Sequence, residues 1–156
     1  VTADLVARLR RLGQTVATAE SLTAGMVAAE VASVPGASAV LRGGFIVYAT
    51  ELKTRLAGVD PGLLAEHGAV HPDVAVQLAR GARDRCEATW GLGLTGVAGP
   101  DPQDGVAPGT VYVAVAGPSG AEVRRLSLAG DRNHIRTGSV AAVLDLLRDR
   151  LEVNPG

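Results

Sequence analysis

Trp90-Gly91-Leu92-Gly93-Leu94, running into Thr95-Gly96-Val97-Ala98-Gly99-Pro100, is the stretch on which the reading of this fold turns. The first five residues have the character of a central strand, and the glycines after them let the loop backbone approach something closely. Downstream, a polar loop at 101–108 precedes an apolar strand, Thr110-Val111-Tyr112-Val113-Ala114-Val115. Gly117-Pro118-Ser119-Gly120 then turns the chain into a second strand over 122–128, which predicts an antiparallel hairpin. Asp131 is placed to cap a helix to about Leu151, with Ile135, Val140, Val143, Leu144 and Leu147 on its apolar side, and the tail after Glu152 is expected to fray.

Upstream, Thr2 and Gly13 bracket a helical spacing of Leu5, Val6, Leu9 and Leu12, so a first helix is predicted over 2–12. A short strand over 15–19 leads through Glu20-Ser21-Leu22 into a helical run from Thr23 to Val34. Val40-Leu41-Arg42 and Gly43-Gly44 open a strand whose end, Phe45-Ile46-Val47-Tyr48, has the composition of a buried one. Helices follow near Thr50, after Asp60-Pro61 up to Gly68, and from Pro72 to about Glu87. This order predicts a single three-layer α/β/α domain over 1–156, with a mixed, mainly parallel sheet supplemented by the hairpin.

Composition narrows the function classes. The chain has 156 residues, 47% apolar and 20% charged, a formal net charge of −1 and 3% aromatics. That balance gives no standing electrostatic hold on phosphate polymers and little to stack on bases, so no direct nucleic-acid partner is expected. No apolar run reaches the length of a bilayer span, and no basic leader precedes the first helix; a soluble cytoplasmic protein with no membrane partner is expected. Cys86 stands alone, and the histidines lack zinc-site spacing, so neither metal nor organic cofactor is expected. Of 15 basic residues, Lys53 is the only lysine.

That lysine bears on chemistry. A position needing a deprotonatable amine resists replacement by arginine, which stays charged, although composition alone fits a chance surviving surface lysine equally well. Ser21, at a strand-to-helix junction, is a candidate nucleophile, although a serine there also serves simply as a helix cap. Tyr48, five residues before Lys53, is placed to orient the amine or relay a proton, or else belongs to the core. The loop from Thr95 to Pro100 offers backbone N–H groups as an anion nest, but matches neither a Walker A sequence nor G-x-G-x-x-G. Arg132 and Arg136, four apart at the start of the last helix, are spaced as a phosphate or carboxylate clamp or as a solvated face. His67, His71 and His134 read as surface or capping residues.

In this order, Ala19-Glu20-Ser21-Leu22-Thr23-Ala24-Gly25, Gly43-Gly44 with Tyr48 and Lys53, Gly68-Ala69-Val70, Thr95 to Pro100, Pro108-Gly109-Thr110-Val111, and Gly130-Asp131-Arg132 with Ile135-Arg136 span nearly the whole chain. Together they resemble the competence/damage-inducible CinA carboxy-terminal domain family, whose enzymatic members are nicotinamide-nucleotide amidases. The resemblance implies Ser21 as nucleophile, Lys53 as base and Tyr48 as a catalytic tyrosine. It implies substrate binding by Glu20, Thr23, Thr95, Gly96, Ala98, Gly99, Arg132 and Arg136, on a small nucleotide, in a homo-oligomer. Where the family has Glu-Ser-Cys-Thr-Gly-Gly, this chain has Leu22 for the cysteine and Ala24 for the first glycine, and His71 stands where serine is common. Ala24 is expected at a backbone position that does not require positive φ. An alternative reading is a non-catalytic module that binds a nucleotide or docks a partner in competence or DNA repair; a third is an amidase for another small amide.

Overall fold

The computed structural model describes residues 2–153; the remainder of the tail expected to fray lies outside the described residues. Five strands, β1 (Val16–Glu20), β2 (Leu41–Ile46), β3 (Trp90–Gly96), β4 (Thr110–Gly117) and β5 (Gly120–Ser127), form one sheet in the order β2-β1-β3-β4-β5. β1 pairs in parallel with both β2 and β3, whereas β3–β4 and β4–β5 are antiparallel, so the sheet is mixed and the predicted hairpin is β4–β5.

Three helices cover each face. On one lie α1 (Thr2–Leu12), α2 (Met26–Ala32) and α6 (Arg132–Val153); on the other lie α3 (Thr50–Ala57), α4 (Pro61–His67) and α5 (Pro72–Arg85). Pattern explains the two layers. In β3, Trp90, Leu92 and Leu94 point into the core shared with α1, α2 and α6, while Gly91 and Gly93, on the alternate positions, face α5. In β4, Val111, Val113 and Val115 join the first core, whereas Ala114 and Ala116 meet Ala75 and Ala79 of α5. One side of the sheet is therefore thick with branched and aromatic side chains, and the other is thin enough for a helix backbone to lie nearly on the strand. Trp90 is wholly buried on the thick side, its Nε1 donating to Gln14 Oε1 at 2.8 Å.

The run ending β2 differs from expectation. β2 is an edge strand of alternating half-buried and exposed residues, with Ile46 55% exposed; just beyond it Val47 is buried and Tyr48 56% exposed. Its β-branched and aromatic composition suits a pleated surface as well as a core, and composition does not separate the two. The chain enters at β1, crosses to β2 through α2, then returns through α3, α4 and α5 on the opposite face to β3 on the other side of β1. That reversal opens a crevice at the carboxyl ends of the parallel strands, where open α/β sheets hold ligands.

A Cβ at Gly93 would collide with the Ala75 carbonyl and the Ala79 amide of α5. Gly93→Ala is therefore expected to cost about 2–3 kcal/mol and to lower the melting temperature by roughly 5–10 °C, read by thermal unfolding.

Candidate active site

The crevice is a cleft of about 380 Å³. Ser21 and Leu22 line it from the turn after β1, Tyr48 from beyond β2, residues 96–103 from the loop after β3, and Arg132 from the first turn of α6. A volume of that size suits a small molecule rather than a polymer.

At its floor, Ser21 N–H donates to Leu94 O at 3.1 Å and Val47 N–H to Glu20 O at 2.8 Å, so the sheet ladder carries on past the ends of β1 and β2 and fixes both segments. Lys53, in the first turns of α3, is only 1% exposed. Its Nζ lies 3.0 Å from Ser21 Oγ, 2.7 Å from Val47 O and 3.3 Å from Tyr48 O. Burial pushes the amine down to about 8, against the opposing pull of the Asp104 and Glu51 carboxylates. A neutral amine has two N–H donors and one lone pair. The two carbonyls can only accept, so in that state the lone pair falls to the one partner carrying a proton, the Ser21 hydroxyl.

Ser21 caps nothing. The N-cap of α2 is Gly25; Met26 N–H is taken by Thr23 O, and the other amides at the helix start by Glu20. The Glu20 carboxylate, buried at the end of β1, accepts from the amides of Gly25, Val27 and Ala28 and from the hydroxyls of Thr18 and Thr23. Of the residues expected to bind substrate, Glu20 and Thr23 have buried side chains, each hydrogen-bonded to the protein. Leu22 and Thr23 N–H, immediately after Ser21, have no hydrogen-bond acceptor among the described residues.

Thr95 is likewise buried, its hydroxyl donating to Ala69 O at 2.7 Å, which ties the end of β3 to the segment after α4; it is not part of the cleft wall. Gly96, Ala98 and Gly99 do line the cleft. The two arginines part company. Arg132 reaches the cleft, donating to Gly99 O at 2.6 Å and to the Tyr48 hydroxyl at 2.7 Å, whereas Arg136 donates to Leu22 O at 2.8 Å from outside the cleft wall. Tyr48 meets Lys53 through its backbone carbonyl, while its hydroxyl stands with Arg132 at the cleft mouth. Asp131 Oδ1 caps α6 by accepting from His134 N–H at 2.9 Å, and His71 Nδ1 caps α5 by accepting from Asp73 N–H at 3.1 Å.

Sequence reasoning missed the roles of Glu20 and Arg136 because both depend on which backbone groups the turn leaves unpaired. It also missed the backbone of Ala24, which has φ +48, in the left-handed region, next to Gly25 at φ +100. A Cβ there is strained. Ala24→Gly is expected to stabilise the fold by about 0.5–1 kcal/mol, seen as a higher denaturation midpoint with an unchanged m-value.

The chain is similar to known proteins over most of its length. The family model for the CinA C-terminal domain matches residues 1–151. A CinA-like protein of Frankia casuarinae is 50% identical over 137 residues, covering 88% of this chain and 32% of that protein. One from Myxococcus xanthus is 43% identical over 152 residues, covering 94% and 35%. The chain thus spans about a third of the length of these curated relatives. Among solved structures, the competence/damage inducible protein CihA from Agrobacterium tumefaciens superimposes with a TM-score of 0.91 at 30% identity, covering 95% of this chain and 92% of that one. A CinA superfamily protein from Enterobacter cloacae gives 0.92 at 30% identity, over 96% and 89%. Over nearly its whole length, the chain belongs to the CinA C-terminal domain family.

Proposed function

We propose that this domain is an amidohydrolase that converts nicotinamide mononucleotide to nicotinate mononucleotide and ammonia, with Ser21 as nucleophile and Lys53 as base. The observation that carries the reading is the 3.0 Å contact between Ser21 Oγ and the buried Lys53 Nζ. A hydroxyl beside a desolvated amine of lowered pKa is an activated nucleophile.

In this reading, neutral Lys53 takes the Ser21 proton as Oγ attacks the carboxamide carbon. The negative charge gathering on the amide oxygen needs N–H donors, and those at the start of α2 are already occupied by Glu20 and Thr23 O. Leu22 and Thr23 N–H supply the hydrogen bonds instead. The Lys53 ammonium then protonates the departing nitrogen, which leaves as ammonia. Water attacks the resulting acyl ester, its proton passes to Lys53, and Ser21 is released with the acid. Arg132 at the cleft mouth and the loop from Gly96 to Gly99 take the phosphoribosyl end, so that remote binding energy orients the amide. These steps need no metal or organic cofactor. The homo-oligomer and the cytoplasmic setting of the family reading belong to the same proposal; among the described residues no helix is long and apolar enough to cross a membrane.

The purified protein is expected to release ammonia and nicotinate mononucleotide in equal amounts, with Ser21→Ala and Lys53→Arg each lowering kcat by about 10³-fold or more. Absence of product with the wild type, or undiminished turnover in either variant, would overturn the assignment. Because the base form of Lys53 is the one without the proton, kcat/KM is expected to climb about tenfold per pH unit below its pKa and to level off above about 8. A pH profile flat from 6 to 9 contradicts a lysine base.

A further inference from the structure

We infer that Arg136 is a positioning residue for the oxyanion site and not an anion clamp: from α6 it holds the turn after Ser21 so that the free amides of that turn stay beside the nucleophile. The inference rests on the serine amidase reading above. Arg136 Nε donates to Leu22 O at 2.8 Å and Nη2 to Thr23 O at 3.5 Å, and of the two arginines on this helix face only Arg132 reaches the cleft. A peptide group is planar and trans, so fixing the Leu22 carbonyl on the Arg136 side fixes Thr23 N–H on the opposite edge. The preceding peptide is fixed in the same way, because Ser21 O accepts from Ala24 N–H at 3.1 Å, which orients Leu22 N–H.

The turn has reason to relax if released. Two successive residues, Ala24 and Gly25, have positive φ, and the first carries a side chain. Rotation of the Leu22–Thr23 peptide would set a carbonyl oxygen where the developing oxyanion needs a donor. The charge-assisted Arg136 bond to Leu22 O opposes that rotation.

A neutral ester separates the two roles. With p-nitrophenyl acetate, Ser21 Oγ bonds to the acetyl carbon, p-nitrophenolate leaves and Lys53 takes the hydroxyl proton; the oxyanion donors are needed, but there is no phosphate to clamp. In Arg136→Ala, Ser21 acetylation, followed by p-nitrophenolate release and by mass, is expected to slow about 10²-fold. The kcat for nicotinamide mononucleotide is expected to fall by a similar factor with KM within about threefold, and added guanidinium ion to restore part of the acetylation rate. Unchanged acetylation with a raised KM would make Arg136 a clamp and overturn the inference, as would a wild type whose Ser21 the ester never acetylates. Should Arg136→Ala fail to fold, Arg136→Lys, which keeps the charge and the stem, carries the same comparison. A wild type that is acetylated but leaves nicotinamide mononucleotide intact removes the substrate assignment alone, and the ester rates still decide Arg136.

Discussion

The site depends on one carboxylate placed where water cannot reach it. Glu20 ends β1 in the interior and collects three backbone donors around the start of α2, those of Gly25, Val27 and Ala28, together with two threonine hydroxyls. A buried carboxylate is costly unless its lone pairs are filled, and a helix start is costly unless its amides are; each defect here cures the other. The consequence lies one residue further on. With the helix capped by its neighbour, the Ser21 hydroxyl is left to Lys53, and the two amides after it have no acceptor among the described residues.

Lys53 is the complementary case, a cation position from which water has been stripped. Two carbonyls at the end of β2 and the Ser21 hydroxyl surround Nζ, so the amine is fully coordinated without a carboxylate in direct contact. Arginine has neither the point geometry nor the accessible neutral form to replace it. The arginine-rich composition is thus consistent with two different demands: guanidinium forks that strap turns to helices, as at Arg132 and Arg136, and one amine able to release its proton.

Much of the fold was legible because the signals were local and mutually consistent. Proline at the first helical position, glycine past the last, and runs of strand-forming residues marked α1, α4, α5 and the β4–β5 hairpin to within about two residues. The family pattern pairs Ser21 with Lys53, and the two side chains lie 3.0 Å apart. What the sequence concealed was direction. Phe45 to Tyr48 looks the same whether a strand lies in the middle of a sheet or at its edge. Glu20 beside Ser21 and Arg136 four residues from Arg132 look like parts of one binding surface until the turn between β1 and α2 shows both serving its backbone. An alanine at position 24 suggests an ordinary backbone, whereas the turn holds it in a left-handed one.

The thick face of the sheet has a spectroscopic consequence. Trp90 is the only tryptophan in the chain, and it lies at the opposite end of β3 from the loop that lines the cleft, buried in the core shared with α1, α2 and α6. Its emission therefore monitors the solvation of the core without interference from a second indole. A ligand entering the cleft meets Tyr48 and leaves Trp90 in the same surroundings, so red-shifted fluorescence in this protein is a signal of lost packing and not of occupancy.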